Sequence, residues 1–173
     1  MKIVLFFCLI LLLTASSDSS PVKFVGLRLL GKYSGINDDS VSYEKTYYVS
    51  TYLKMTPPAA RSFCKSYDGS MDLVSFESQN EFLVVCSKFE PEVKDKSIFM
   101  AVGAFANAEK NETRDFHWIS SGLKTFTGLE VPEGEMCLGI RKEINEPVNF
   151  MPVSCDQAMR FICQEMKIEY AMK

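Results

Sequence analysis

What most constrains this chain is a set of cysteines placed behind a hydrophobic leader. Lys2 supplies a positive start, Ile3 to Leu13 is unbroken apolar sequence, and the small residues Thr14, Ala15, Ser16 and Ser17 follow. That is the pattern of a secretory signal peptide, residues 1–17, with cleavage expected between Ala15 and Ser20. The run is shorter than the ~20 residues that span a bilayer, and no later stretch approaches it, so no membrane anchor is expected. A retained signal anchor is the alternative. A secreted, extracellular chain meets an oxidising compartment, where spaced thiols become disulfides. Cys8 leaves with the leader, and Cys64, Cys86, Cys137, Cys155 and Cys163 remain, with no C-x-x-C pair among them. Five ways of leaving one out and three ways of pairing the rest give fifteen frameworks, which counting cannot separate.

The chain has 173 residues, 47% of them hydrophobic and 24% charged, with 19 basic and 22 acidic side chains and a net charge of −3. This is the composition of one globular domain with a real core. It lacks the basic stripe that a phosphate backbone requires, so nucleic acid is not an expected partner. The single histidine, His117, lies between Phe116 and Trp118 and is read as a packing residue. Without a second imidazole there is no imidazole-pair metal centre, and no nucleophile with a plausible base appears, so no enzyme is expected.

Local signals place two helices. Thr56 can cap a helix that starts at Pro57, a residue preorganised for the first helical position, and Ala60, Phe63 and Cys64 follow at helical spacing. Ser78-Gln79-Asn80-Glu81 is a capping box, after which Phe82, Val85, Cys86 and Phe89 form an apolar stripe. On that stripe Cys86 reads as a free thiol packed as a small hydrophobe; an intermolecular disulfide is the alternative. Pro91 to Lys96 reads as a loop, Ile98 to Val102 as a buried strand ended by Gly103, and Asn107 to Arg114 as a polar loop. The polar loop carries a glycosylation sequon at Asn111. Phe116 to Ile119, Met136 to Ile140 and Met159 to Cys163 read as further short strands. Helices followed by a run of strands predict an α+β fold with antiparallel sheets. Residues 18–42 are read as an extension of uncertain order and 167–173 as a polar tail, around a domain at 43–166.

The series Tyr47-Tyr48-Val49, Ala60-x-x-x-Cys64, Leu73-Val74-Ser75 leading into Glu81, Phe99 to Gly103, Trp118-x-x-x-Gly122, Glu135-Met136-Cys137, Cys155 and Phe161-Ile162-Cys163 resembles a C-type lectin-like domain over about Tyr43 to Glu165. The leader and small size are similar to the single-domain secreted lectins of insects. The resemblance implies bridges from Cys64 to Cys163 and from Cys137 to Cys155, leaving Cys86 free. It also implies a calcium-held sugar site, and here the chain departs from it. Sugar-binding members use a Glu-Pro-Asn or Gln-Pro-Asp triplet, a glutamate two before the third framework cysteine, and a Trp-Asn-Asp triplet before the fourth. Only Glu135 matches. The loop Phe126 to Gly134 lacks the first triplet, and Phe150, Met151 and Pro152 stand where Trp-Asn-Asp would.

Calcium wants six to eight oxygens, so neither calcium nor another cofactor is expected. Glu130, Glu133 and Glu135 are read as a solvated face rather than a carboxylate site. The leading reading is a calcium-independent module that binds an extracellular protein, or a glycan by side-chain contacts, as a monomer or weak homo-oligomer. Its ligand surface would lie between Gly122 and Pro152, where Phe126, Leu129, Val131, Phe150 and Met151 are read as exposed apolar contacts beside Glu130 and Glu135. A carbohydrate-binding lectin with a rebuilt site is the alternative.

Overall fold

The computed structural model describes residues 26–36, 41–89, 97–106, 115–131 and 137–169. The leader 1–17 with Cys8, the sequon at Asn111, and Glu133 and Glu135 lie outside the described residues, as do the loops read at Pro91 to Lys96 and at Asn107 to Arg114. The strands are β1 Leu27–Ile36, β2 Ser42–Ser50, β3 Met71–Leu73, β4 Ser97–Ala106, β5 Phe116–Trp118, β6 Cys137–Glu143, β7 Asn149–Val153 and β8 Arg160–Glu169, with helices α1 Pro57–Tyr67 and α2 Gln79–Cys86.

Both helices start where the sequence places them, by somewhat different bonds. Thr56 sits extended at the N-cap of α1 but its side chain makes no capping bond. Pro57 and the bond from the Ala60 N–H to the Thr56 carbonyl at 2.8 Å set the first turn instead. In α2 the Ser78 hydroxyl accepts from the Glu81 N–H at 3.1 Å. The reciprocal half of the box is redirected: the Glu81 carboxylate takes the Glu77 N–H at 2.7 Å rather than that of Ser78.

The sheet runs β1-β2-β8-β4-β6-β7, with β3 added to β8 and β5 to β4. It is mixed, because β4 and β8 pair parallel at Met100↔Arg160 and Ala101↔Phe161, whereas the sequence reading has antiparallel pairing only. Two long strands precede the helices, so the expected order of helices first is also corrected. Residues 27–36 of the supposed extension are β1, paired along β2, and the first residues of the supposed tail continue β8. Nor does Gly103 end β4, which runs on to Ala106. Glycine is there for space: a Cβ on it would stand 2.8 Å from the Leu73 carbonyl oxygen.

Two apolar clusters flank the sheet. Phe82, Val85, Cys86 and Phe89 bring the stripe of α2 onto Phe76, Trp118, Ile140 and Ile162, all buried. Ala60 and Cys64 bring α1 onto Leu73, Ala101 and Phe161. Cys64 is bonded to Cys163, fixing α1 to β8, and Cys137 to Cys155, fixing the start of β6 to the turn after β7. Cys86 is free and buried, and burial pushes its thiol up from the ordinary value, with Lys142 a smaller opposing influence.

Candidate functional site

The segment after β5 is folded back on that strand. The Trp118 N–H donates to the Leu123 carbonyl at 2.9 Å and the Thr125 N–H to that of Phe116 at 2.8 Å. His117 belongs to this turn, its Nδ1 3.2 Å from the Asp115 carbonyl oxygen. Gly128, at φ 62°, then makes the reversal that brings Leu129 toward the core, a conformation most side chains resist. Phe126 is thereby held out at the surface, 39% exposed.

Across from it, β7 pairs with β6 at Ile140↔Phe150, which aims Phe150 at the same face as the core residue Ile140. Its ring stacks on Phe82 of α2 with centroids 4.2 Å apart. Phe126 meets the Phe150 ring edge-on at 5.7 Å and the Trp118 ring at 6.3 Å. Between α2, the Phe126 loop and β7 lies a groove of about 360 Å³. Its walls include Phe82, Leu83, Phe126, Leu129, Val148 and Phe150, and among the described residues its polar lining, Gln79, Thr127 and Asn149, is uncharged. A second depression of about 290 Å³ adjoins it, sharing Pro147, Asn149 and Phe150, and adds Arg141, Glu143, Glu146 and Met151.

Phe126, Leu129 and Phe150, chosen from sequence, thus come together. Met151 does not join them: alternation along β7 turns it to the other face, where it packs against the second core cluster. Glu130 is exposed and follows Leu129 without lining the groove. The expectation that Leu129, Val131, Phe150 and Met151 are exposed is corrected, since all four are half-buried against the core. The sequence reading missed the wall that α2 provides. Its one signal is Leu83, an apolar side chain off the buried stripe and 54% exposed.

Behind α2 stands a buried polar network. Lys45 and Glu81 are both fully buried, with Nζ 2.9 Å from Oε1. The ammonium also donates to the Ser75 carbonyl at 3.0 Å and to Glu77 at 3.2 Å, so its three protons are all used. Tyr47 donates its hydroxyl to Glu81 as well, and burial, then the Glu81 charge, raises the Tyr47 phenol above its ordinary value. The network ties the first turn of α2 to β2 and so fixes one wall of the groove.

At positions 150 to 152 of β7 the side chains are an aromatic ring, a thioether and a proline, with only the neutral amide of Asn149 before them. They offer calcium no anionic oxygen, so the residues there do not fit that ion. Among the described residues no three His, Cys, Asp or Glu side chains are grouped to hold a metal, and no helix is long and apolar enough to cross a membrane.

No family model matches the chain. A curated relative, one chain of the snaclec coagulation factor IX/factor X-binding protein of Gloydius halys, is 25% identical over 123 residues, 71% of this chain and 80% of that protein. Among solved structures, the C-type lectin CEL-I from Cucumaria echinata superposes with a TM-score of 0.51 at 18% identity, covering 72% of this chain and 91% of CEL-I. The EPNH mutant of CEL-I gives 0.53 at the same identity and coverage. At such identities the likeness to the solved structures is one of fold.

Proposed function

From the premise that this chain has the C-type lectin-like fold, we propose that it is a secreted recognition module, without catalytic activity, that binds an extracellular protein in the absence of calcium. The observation that carries this reading is the uncharged groove of Phe82, Phe126 and Phe150, with Phe126 held exposed at its mouth. Aromatic side chains on a rigid frame lose little freedom on binding and dominate protein hot spots. Phe150 is fixed by its stacking on Phe82, and the Phe126 loop by its bonds to β5. The relative from Gloydius halys is named for binding coagulation factors, which supports a protein ligand as the general class.

Calcium independence rests on β7. In a calcium lectin the ion joins protein carboxylates to sugar hydroxyls. Here the Phe150 ring packs on the core, and the Pro152 ring carries no oxygen to offer the ion. Glu135 remains as the family-matching carboxylate, and a single anion makes a poor cage for an ion that takes six to eight oxygens.

The test is direct. Millimolar calcium should leave the melting temperature unchanged, because a ligand that does not bind the native state cannot stabilise it. Protein captured from the native extracellular fluid should stay bound in EDTA, and Phe126→Ala should weaken capture more than Glu135→Gln. A calcium-induced rise of several degrees, together with EDTA-sensitive retention on a mannose or galactose resin, would establish the carbohydrate-binding reading instead.

A further inference from the structure

The charge left over around the groove narrows the ligand's chemistry. Among the described residues the groove has no charged lining residue. Two cations near it are ion-paired, Arg141 with Glu143 and Lys124 with Asp115 at 2.7 Å, while the Lys142 ammonium donates to the neutral Glu146 main-chain carbonyl at 2.6 Å and keeps its charge. Two carboxylates are not engaged. Glu130 immediately follows the lining residue Leu129, Glu146 immediately precedes the lining residue Pro147, and both side chains are exposed with no ion-pair or hydrogen-bond partner among the described residues. Glu146 also lines the adjoining depression, which shares Pro147, Asn149 and Phe150 with the groove.

An apolar slot and a carboxylate-bearing depression therefore stand side by side with a common wall. We propose that the groove takes a peptide segment of its partner in which a large apolar side chain is flanked by lysine or arginine, the apolar group lying against Phe126 and Phe150 and the cations meeting Glu146 and Glu130. This rests on the protein-binding reading above and adds to it the sign of the ligand's charge. At about 360 Å³ the slot lies near the small end of ligand pockets, which run from about 300 to 1,000 Å³, so one or two side chains fill it rather than a folded surface. An acidic segment would set its carboxylates beside two that are in no ion pair, and a purely apolar segment would leave both without a partner. Exposed charge contacts each contribute modestly, about 0.2–1 kcal/mol, so two of them together discriminate by roughly twofold to thirtyfold.

The probes are three synthetic peptides with one central phenylalanine, flanked by arginines, by serines or by glutamates, titrated into the full-length secreted protein. Binding is followed by NMR shifts of the Leu83, Leu129 and Val148 methyl groups. The arginine-flanked peptide should bind severalfold tighter than the serine-flanked one and the glutamate-flanked one weakest, with the shifts confined to these methyls. Glu130→Gln combined with Glu146→Gln should remove the discrimination while leaving the melting temperature unchanged, and raised salt should shrink it. Equal binding of the arginine and serine peptides in the groove would overturn the charge inference and leave the protein-binding reading in place. Failure of all three at millimolar concentration, with EDTA-resistant and Phe126-dependent capture intact, would do the same. Peptide binding indifferent to Phe126→Ala, with capture equally indifferent, would overturn both.

Discussion

At the scale of the residue, the least expected side chain is Lys45. Strand alternation puts Tyr43, Lys45, Tyr47 and Val49 on one buried face, so an ammonium sits where a hydrophobe would normally stand. It is tolerated because every proton has an acceptor and Glu81 lies opposite. Breaking such a pair from one side leaves an uncompensated charge in the core. Lys45→Met should therefore cost about 3–5 kcal/mol in denaturant unfolding. Adding Glu81→Gln, which removes the stranded charge while keeping an acceptor for the Glu77 N–H, should recover much of that loss. If the double variant is no more stable than Lys45→Met, the bonds to Ser75 and Glu77 matter more than the charge. Gly103 makes a different demand. Ala at that position must displace the main chain at Leu73 and Val74, whose carbonyl oxygens lie 2.8 and 3.0 Å from the new Cβ. Overpacking against backbone costs about 1–3 kcal/mol, so the melting temperature should fall, and a neutral Gly103→Ala would contradict the close approach.

At the scale of the element, what could be read from sequence was what is written locally. Pro57 and the serine of Ser78 to Glu81 mark helix starts by chemistry confined to one turn, and both helices begin there. The stripe of Phe82, Val85, Cys86 and Phe89 is buried as its period implies. The disulfide partners were legible only through family resemblance, since five cysteines alone leave fifteen frameworks. Elements that depend on distant partners were not legible. β1 contains two glycines and no unbroken alternation, with a register shift between Leu29 and Gly31, and it is a strand because β2 lies beside it. Phe150 looked like an exposed loop residue because nothing within its own segment announces Phe82, to which it is joined only in the fold. The same holds for Lys45 and Glu81, whose strand and helix carry separate, ordinary signals. The groove is thus half visible from sequence: its Phe126 and Leu129 bank, and not the α2 bank.

At the scale of the whole molecule, the sheet is held by two covalent ties of very different span. Cys64–Cys163 closes 99 positions and fastens α1 to the central strand β8, whereas Cys137–Cys155 closes 18 and fastens the edge formed by β6 and β7. If loop closure in the unfolded chain dominates, a loop of about 100 residues contributes about 4.7 kcal/mol and one of about 15 residues about 3 kcal/mol. Net domain stabilities are only about 5–15 kcal/mol, so losing the long tie takes a large share. The short tie has another consequence, because β7 carries Phe150 and lies at the sheet edge, paired among the described residues only with β6. Replacing Cys137 and Cys155 together by alanine should lower the melting temperature less than replacing Cys64 and Cys163. It should nevertheless speed hydrogen exchange at the β7 amides and weaken Phe126-dependent capture, since Phe150 would no longer be held against Phe82. The long-tie variant, where it still folds, should show the opposite pattern: a larger fall in melting temperature with the β7 amides closer to native protection. If β7 exchange is unchanged on loss of Cys137–Cys155, the aromatic stack alone positions that bank of the groove.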